Sequence, residues 1–262
     1  MTATQRPENT GPVRPGVTIA GHYSSLVLPE PPPGRPFVYI NMVTSVDGKA
    51  TVDGSERGLG SPDDQRMMHE LRVHADAVIN GASTLRISGS SPRVRDAGLK
   101  AQRKQRGLAP QAMGVVVTRS GDLPLDAPFF TSKDYDAVVV VVDTTPRERV
   151  SAISATGRHV ITVPDRPDNG AEIVRTLRNR FGVRHLLCEG GPTLNQTLLL
   201  AEVADELFLT VAPWIVAGEE NLTAAEGAPF HRLTMPRLRL LQYFHDQATD
   251  ELFLRYAISY RG

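Results

Sequence analysis

Five consecutive valines, Val138 to Val142, constrain this 262-residue chain more than any other stretch. An unbroken β-branched run favours a strand, and a run with no polar alternation has no face to give to water. Such a strand must be covered on both sides, which is the condition of parallel sheets with crossover helices above and below. The following residues supply the crossovers: 145–155 reads as helix, 159–163 as strand, 171–180 as helix and 183–188 as strand. The fold class expected is therefore α/β, with a mostly parallel sheet flanked by helices.

A second strand opens the ordered part of the chain at Phe37-Val-Tyr-Ile40 and breaks at Asn41 into polar residues and glycines as far as Gly60. A buried strand that turns polar at its end delivers those residues into a cleft. In Thr44-Ser-Val-Asp-Gly48 two hydroxyls, a carboxylate and a permissive glycine fall together, so donors and an acceptor can converge on a ligand. Asp47-Gly48 is equally a turn dipeptide, and the residues alone leave turn and site open.

The helix that follows is well signalled. Ser61 caps it, Pro62 suits its first position, and Asp63 and Asp64 complement the positive end of its dipole. Met67, Met68 and Leu71 give the apolar stripe. Arg72, four residues after Met68, borders that stripe as either a snorkelling surface residue or a ligand clamp. His69 and His74 mimic a zinc-protease pair but are five apart, so on a helix they diverge by about 140° and no metal is expected.

Residues 76–79 read as strand and 80–84 as a turn whose glycine and hydroxyls start another helix, free N–H groups facing an anion. Residues 88–110 are polar and basic, with Arg93, Arg95, Lys100, Arg103, Lys104 and Arg106, and read as a solvated loop able to cover a cleft and hold a phosphate. Residues 112–118 form a strand, and Arg119-Ser120 directly behind it fits a grip for the 2′-phosphate of NADP. In Cys188-Glu-Gly-Gly-Pro-Thr-Leu-Asn195 a strand ends on two glycines and Pro192 starts a helix, which makes either a phosphate-binding turn or a tight structural one. Residues 206–211 are strand, 219–233 irregular, and 238–244 with 251–258 a closing hairpin that makes the sheet mixed.

Composition removes several function classes. Lys plus Arg number 29 and Asp plus Glu 29, so no net field favours nucleic acid or an anionic membrane. The one cysteine, Cys188, allows no intramolecular disulfide and no Cys-rich metal site, and points to a reducing compartment. No apolar run approaches the roughly 20 residues of a membrane span and the N-terminus has no signal-peptide core, so a cytoplasmic protein is expected. Residues 1–34 hold seven prolines and little apolar periodicity. They read as a flexible tail, with Leu26-Val-Leu28 able to dock, ahead of one domain over 35–262.

Taken in order, Ser45-Val-Asp-Gly48, Gly81-Ala-Ser-Thr84, Thr118-Arg-Ser120, Glu189-Gly-Gly-Pro-Thr193 and Asp205-Glu-Leu207 running to Ala212-Pro213 resemble the dihydrofolate-reductase-like reductase domain of riboflavin biosynthesis, across residues 36–258. That domain is often fused behind a deaminase, whose His-x-Glu and Pro-Cys-x-x-Cys motifs this sequence lacks, so a stand-alone form is expected. The resemblance implies a homodimer that uses NADPH to reduce a phosphoribosylamino-pyrimidine at C1 of its ribose, with no metal. It matches cofactor contacts to Thr44, Gly81, Thr84, Ser120, Gly190, Gly191, Pro192, Thr193 and Leu194, to which the strand end adds Thr118 and Arg119. Substrate contacts fall on Asn41, Glu56, Arg72, Arg95 and Glu189, with Arg72 and Arg95 on the phosphate and catalytic parts for Asp47 and Glu189. Asn41 stands where the fused enzymes carry lysine, Gly58 where an aromatic is expected, and an acidic pair is missing near Ser88. Whether the substrate is the deaminated uracil or the diamino-pyrimidinone stays open, as do a dihydrofolate or pterin reductase and a non-catalytic nucleotide-binding homologue.

Overall fold

The computed structural model describes residues 20–89 and 91–260. The valine run is the centre of β4 (Ala137–Val142), and its side chains alternate between two cores. Val138, Val140 and Val142 face one, Val139 and Val141 the other, and all five are buried. The neighbours that cover them make a nine-stranded sheet in the order β5-β4-β3-β2-β6-β1-β7-β9-β8.

Its members are β1 (Phe37–Ser45), β2 (Ala77–Gly81), β3 (Met113–Thr118), β4, β5 (His159–Val163), β6 (His185–Cys188), β7 (Glu206–Ala212), β8 (Arg237–His245) and β9 (Leu252–Ser259). β1 to β7 are parallel to their neighbours, while β9 runs antiparallel to β7 and β8 antiparallel to β9. The mixed sheet with a closing antiparallel pair agrees with the sequence reading. Every parallel strand therefore ends at the same edge, where α/β sheets open a crevice for ligands.

Helices cover both faces. Ile173, Val174 and Leu177 of α6 (Gly170–Phe181) and Leu194 and Leu198 of α7 (Pro192–Leu200) close one core. The other face carries α1 (Pro62–Leu71), α2 (Ala82–Ser88), α4 (Pro128–Thr131) and α5 (Arg147–Ala155), through Met67, Leu71, Leu85, Phe129, Phe130 and Ile153. Ser61 caps α1 as expected, its hydroxyl accepting from the N–H groups of Asp63 and Asp64.

Two stretches depart from the sequence reading. The basic segment 88–110 holds α3 (Ala97–Gln105), capped by Asp96. Its Arg103 is buried rather than solvated, donating to the carbonyls of Arg72, Ala75 and Ala109. A guanidinium presents a fork of donors, so it can gather the carbonyls left where α1 ends. Residues 20–34, read as part of a flexible tail, pack on the domain. The N–H groups of Gly21, Tyr23 and Ser24 donate to the buried Glu70 carboxylate, and the Tyr23 ring meets Phe208 edge-on at 5.1 Å. Leu26 and Leu28 dock against the same core while Val27 between them faces outward. The rest of that tail, 1–19, lies outside the described residues.

Candidate active site

At the C-terminal edge of β1, β2 and β6 lies a cavity of about 430 Å³. The parallel register builds its floor. Ile40 and Ile79 both pair with Cys188, so one residue further Asn41 of β1, Glu189 after β6 and Asn80 of β2 stand in one row. Odd and even positions point to opposite faces, so this row turns toward α1, on the same side as Tyr39, Leu187 and Val78. Three polar side chains thus replace the apolar rungs where the strands reach solvent.

Glu189 does not stand alone. Arg72, leaving the end of α1, binds it with two contacts, Nε to Oε1 at 2.6 Å and a terminal nitrogen to Oε2 at 2.7 Å. Both side chains are only 7% exposed, so the pair sits in the cavity wall with little water to screen it. The other terminal nitrogen of Arg72 donates to the Arg93 carbonyl at 2.7 Å and touches His69 Nδ1 at 3.3 Å. Burial and the adjacent Arg72 cation hold the His69 ring below its ordinary pKa. Of the two arginines expected on a phosphate, Arg72 is therefore committed to Glu189. Arg95, exposed and lining the cavity, makes no ion pair among the described residues, and neither does the exposed Arg57, which lines it too. Glu56 also lines the cavity.

A cradle of small residues adjoins the polar floor. Gly190 has φ +89°, and a Cβ there would come within 3.2 Å of Met42 Sδ. A Cβ on Gly191 would lie 3.3 Å from Thr84 Oγ1. The Gly81 N–H donates to the Gly190 carbonyl at 2.9 Å, which ties the end of β2 to the turn before α7. No side chain caps α7, whose N-cap is Gly191. Bare backbone, a hydroxyl and an uncapped helix start suit the phosphates of a dinucleotide, so the residues present fit the nicotinamide cofactor expected from sequence.

The remaining expected residues fall in three groups. Pro192 lines the cavity beside Gly190 and Gly191, and Thr193 is exposed on the first turn of α7. Thr118 ends β3, with Arg119 and Ser120 directly behind it on the same sheet edge but outside the cavity wall, and Arg119 pairs with Asp165 at 2.9 Å. Thr44 and Leu194 are buried, and the Leu194 side chain belongs to the core rather than to any ligand surface, because α7 turns it toward the sheet.

Asp47, expected in a catalytic part, holds two loops together. It is exposed and absent from the cavity wall, and its carboxylate accepts from Ser45 Oγ at 2.6 Å and from the N–H groups of Val216 and Ala217. Those donors, Ser45 first, pull its pKa down to about 2. With Val46 donating to the Trp214 carbonyl and Ala50 to that of Leu222, the loop after β1 is fastened to the loop after β7.

Asp64 and Asn80, like Arg57, line the cavity without having been expected at a site. Asp64, in the first turn of α1, is pushed up to about 6 by burial, with Thr210 as its hydrogen-bond partner and Glu251 nearby. Asn80 is 4% exposed, and its buried Oδ1 has no hydrogen-bond partner among the described residues. The legible signal for Asn80 is a lone amide closing the apolar strand Ala77-Val-Ile79.

Comparison with known proteins joins this geometry to a family. Residues 36–248 match the family model described as RibD C-terminal domain. The 2,5-diamino-6-ribosylamino-4(3H)-pyrimidinone 5′-phosphate reductase of Aquifex aeolicus is 31% identical over 216 residues, spanning 80% of this chain and 92% of that protein. The protein of the same name from Methanothermobacter thermautotrophicus is 31% identical over 196 residues, spanning 74% and 85%. A pyrimidine reductase-like protein from Corynebacterium diphtheriae shares the fold, with a TM-score of 0.77 at 24% identity over 87% of this chain and 93% of that one.

Proposed function

Because this chain belongs to the RibD C-terminal domain family, we propose that it is the NADPH-dependent reductase of riboflavin biosynthesis that converts the ribosylamino side chain of 2,5-diamino-6-ribosylamino-pyrimidinone 5′-phosphate to a ribitylamino one. The observation that carries this reading is the cavity itself. A polar floor of Asn41, Glu189 and Asn80 shares the cavity with a glycine cradle and with two arginines, Arg57 and Arg95, that make no ion pair among the described residues.

The cradle of Gly81, Thr84 and Gly190 to Thr193 would hold the cofactor, with Thr118, Arg119 and Ser120 along the same edge for its adenosine end. Bound there, the reduced nicotinamide supplies the hydride that C1 of the ribose takes up. The protein's own work is orientation. Glu189, held in place by Arg72, accepts hydrogen bonds from the pyrimidine or the sugar hydroxyls. Arg95 and Arg57 fix the far end through its phosphate. The ribosylamine ring would open to an imine as its N–H proton passes to the ring oxygen, and hydride uptake at C1 would be balanced by a proton from water at the side-chain nitrogen, so that orientation rather than a dedicated acid is the protein's main contribution.

We also propose a homodimer. β8 is an edge strand whose Leu238, Leu240 and Tyr243 remain exposed in the single chain, and an uncovered apolar edge favours a second copy. A buried lone Cys188 suits the cytoplasm.

The test is NADPH oxidation with the diamino-pyrimidinone phosphate and with its deaminated uracil counterpart, each prepared enzymatically. Turnover of the diamino compound is expected, and oxidation with neither would refute the reading. Arg95→Ala should raise KM for the phosphorylated substrate by about tenfold or more while leaving NADPH affinity unchanged, as loss of a charge-assisted contact predicts.

A further inference from the structure

Asp64 is a carboxylate that the fold leaves without a matching donor. It lies in the first turn of α1, partly exposed and in the cavity wall. The buried carboxylates elsewhere in the domain are met by N–H groups. Glu70 takes three from the backbone, Glu189 and Glu206 each a two-point arginine, and Glu251 the N–H and hydroxyl of Ser61. Among the described residues Asp64 has only the Thr210 hydroxyl, and Glu251 places a second negative charge beside it. An ionised carboxylate offers about four acceptor sites, so most of its capacity is free. Gly60, also in the cavity wall, keeps room for it, since a Cβ there would fall 2.2 Å from Asp64 Oδ2. A charge held where desolvation and a like charge both oppose it marks a group placed for a ligand.

The sheet register indicates which end of the ligand it meets. Thr210 pairs with Val43, two residues beyond Asn41 on the same face of β1, and Val43 lines the cavity. With strands in the order β2-β6-β1-β7, Asp64 stands on the β7 side of β1, whereas Glu189 and the glycine cradle stand on the β6 and β2 side. A ring lying across the end of β1 therefore has one carboxylate at each edge. Glu189 is already neutralised by Arg72, while Asp64 keeps its charge and two oxygens for a pair of parallel N–H groups. The diamino-pyrimidinone carries such a pair in its 2-amino group and the adjacent ring N–H. The uracil ring keeps that ring N–H but has a carbonyl in place of the amino group, which would set one oxygen against another. We infer that Asp64 accepts both hydrogen bonds of the amino-bearing edge and so sets a preference for the diamino ring over the uracil. This inference rests on the function proposed above and adds a specificity-determining residue to that site.

Calorimetry separates the two claims. Dissociation constants of the diamino-pyrimidinone phosphate, the uracil phosphate and NADPH are measured at about pH 8, where the carboxyl is ionised, for the wild type, Asp64→Asn and Asp64→Ala. In Asp64→Asn the diamino compound should bind about tenfold to a hundredfold more weakly and the uracil compound nearly as before, the effect of charge-assisted bonds lost by one ligand only. Asp64→Ala, which brings in no amide of its own, should show the same fall in preference. NADPH affinity should hold, and the melting temperature of Asp64→Asn should be no lower than that of the wild type, because no backbone bond is lost. An undiminished affinity for the diamino compound, or an equal loss for both pyrimidines, would overturn the inference alone. A loss confined to NADPH would do the same by assigning Asp64 to the cofactor. A wild type that binds neither pyrimidine would overturn both this inference and the function beneath it.

Discussion

At the scale of single residues, the pair formed by Arg72 and Glu189 decides the character of the cavity. Two charges each 7% exposed have lost most of their hydration, and their two-point contact offsets that loss only while both are present. Arg72→Met should therefore destabilise the protein by about 3–5 kcal/mol, because it leaves Glu189 buried and unpaired. Adding Glu189→Gln should restore much of that stability without restoring turnover, and urea unfolding alongside NADPH oxidation would check both halves. If the double variant were as unstable as the single one, the ion pair would not be the cause. Sequence periodicity placed Arg72 at the edge of the α1 stripe, and the two glycines after Glu189 marked a turn that could be ligand-binding or structural. The contact between residues 117 positions apart follows only from the order of strands in the sheet.

At the scale of elements, single carboxylates fasten loops whose own composition promises little order. Glu70 takes three backbone N–H groups from residues 21–24. Glu70→Ala should release residues 20–28 and open cleavage after Tyr23 or Leu26 in limited chymotrypsin digestion, whereas resistance equal to wild type would show that Leu26 and Leu28 suffice. Asp47 does the same for residues 216 and 217, and Asp47→Ala should speed hydrogen exchange at the Val216 and Ala217 amides. Since its folded pKa of about 2 lies below the ordinary carboxylate value, this clamp holds above about pH 4 and is lost as pH falls toward 2. The helix α3 escaped the sequence reading because Leu99 is its one large apolar residue, and the burial of Arg103 depends on carbonyls from the end of α1 and the turn after it, which local pattern cannot disclose.

For the molecule as a whole, two buried groups bend the pH profile in opposite directions. Burial raises the Asp64 carboxyl to about 6, so its contribution to stability is full below about pH 4 and is lost as pH rises through 6. Burial lowers the His74 ring to about 4, so its contribution is full above about 6.5 and is lost as pH falls toward 4. Asp64→Asn should be more stable than the wild type at pH 7–8, by up to about 3 kcal/mol, with the difference vanishing near pH 4. Urea unfolding across that range is the measurement, and a difference independent of pH would remove Asp64 as its source.

What the sequence determined by itself was the sheet and its edge. An all-valine strand can be stable only between two layers of helix, and the glycine-softened ends after β1, β2 and β6 were bound to meet wherever parallel strands stop together. What tertiary structure decided was the partnership of each polar group. Pairing, burial and orphaning depend on which strands lie side by side, and that order, β2-β6-β1, is set by long-range packing. It made Asp47 a fastener between two loops, bound Arg72 to Glu189, and left the Asn80 oxygen without a partner among the described residues.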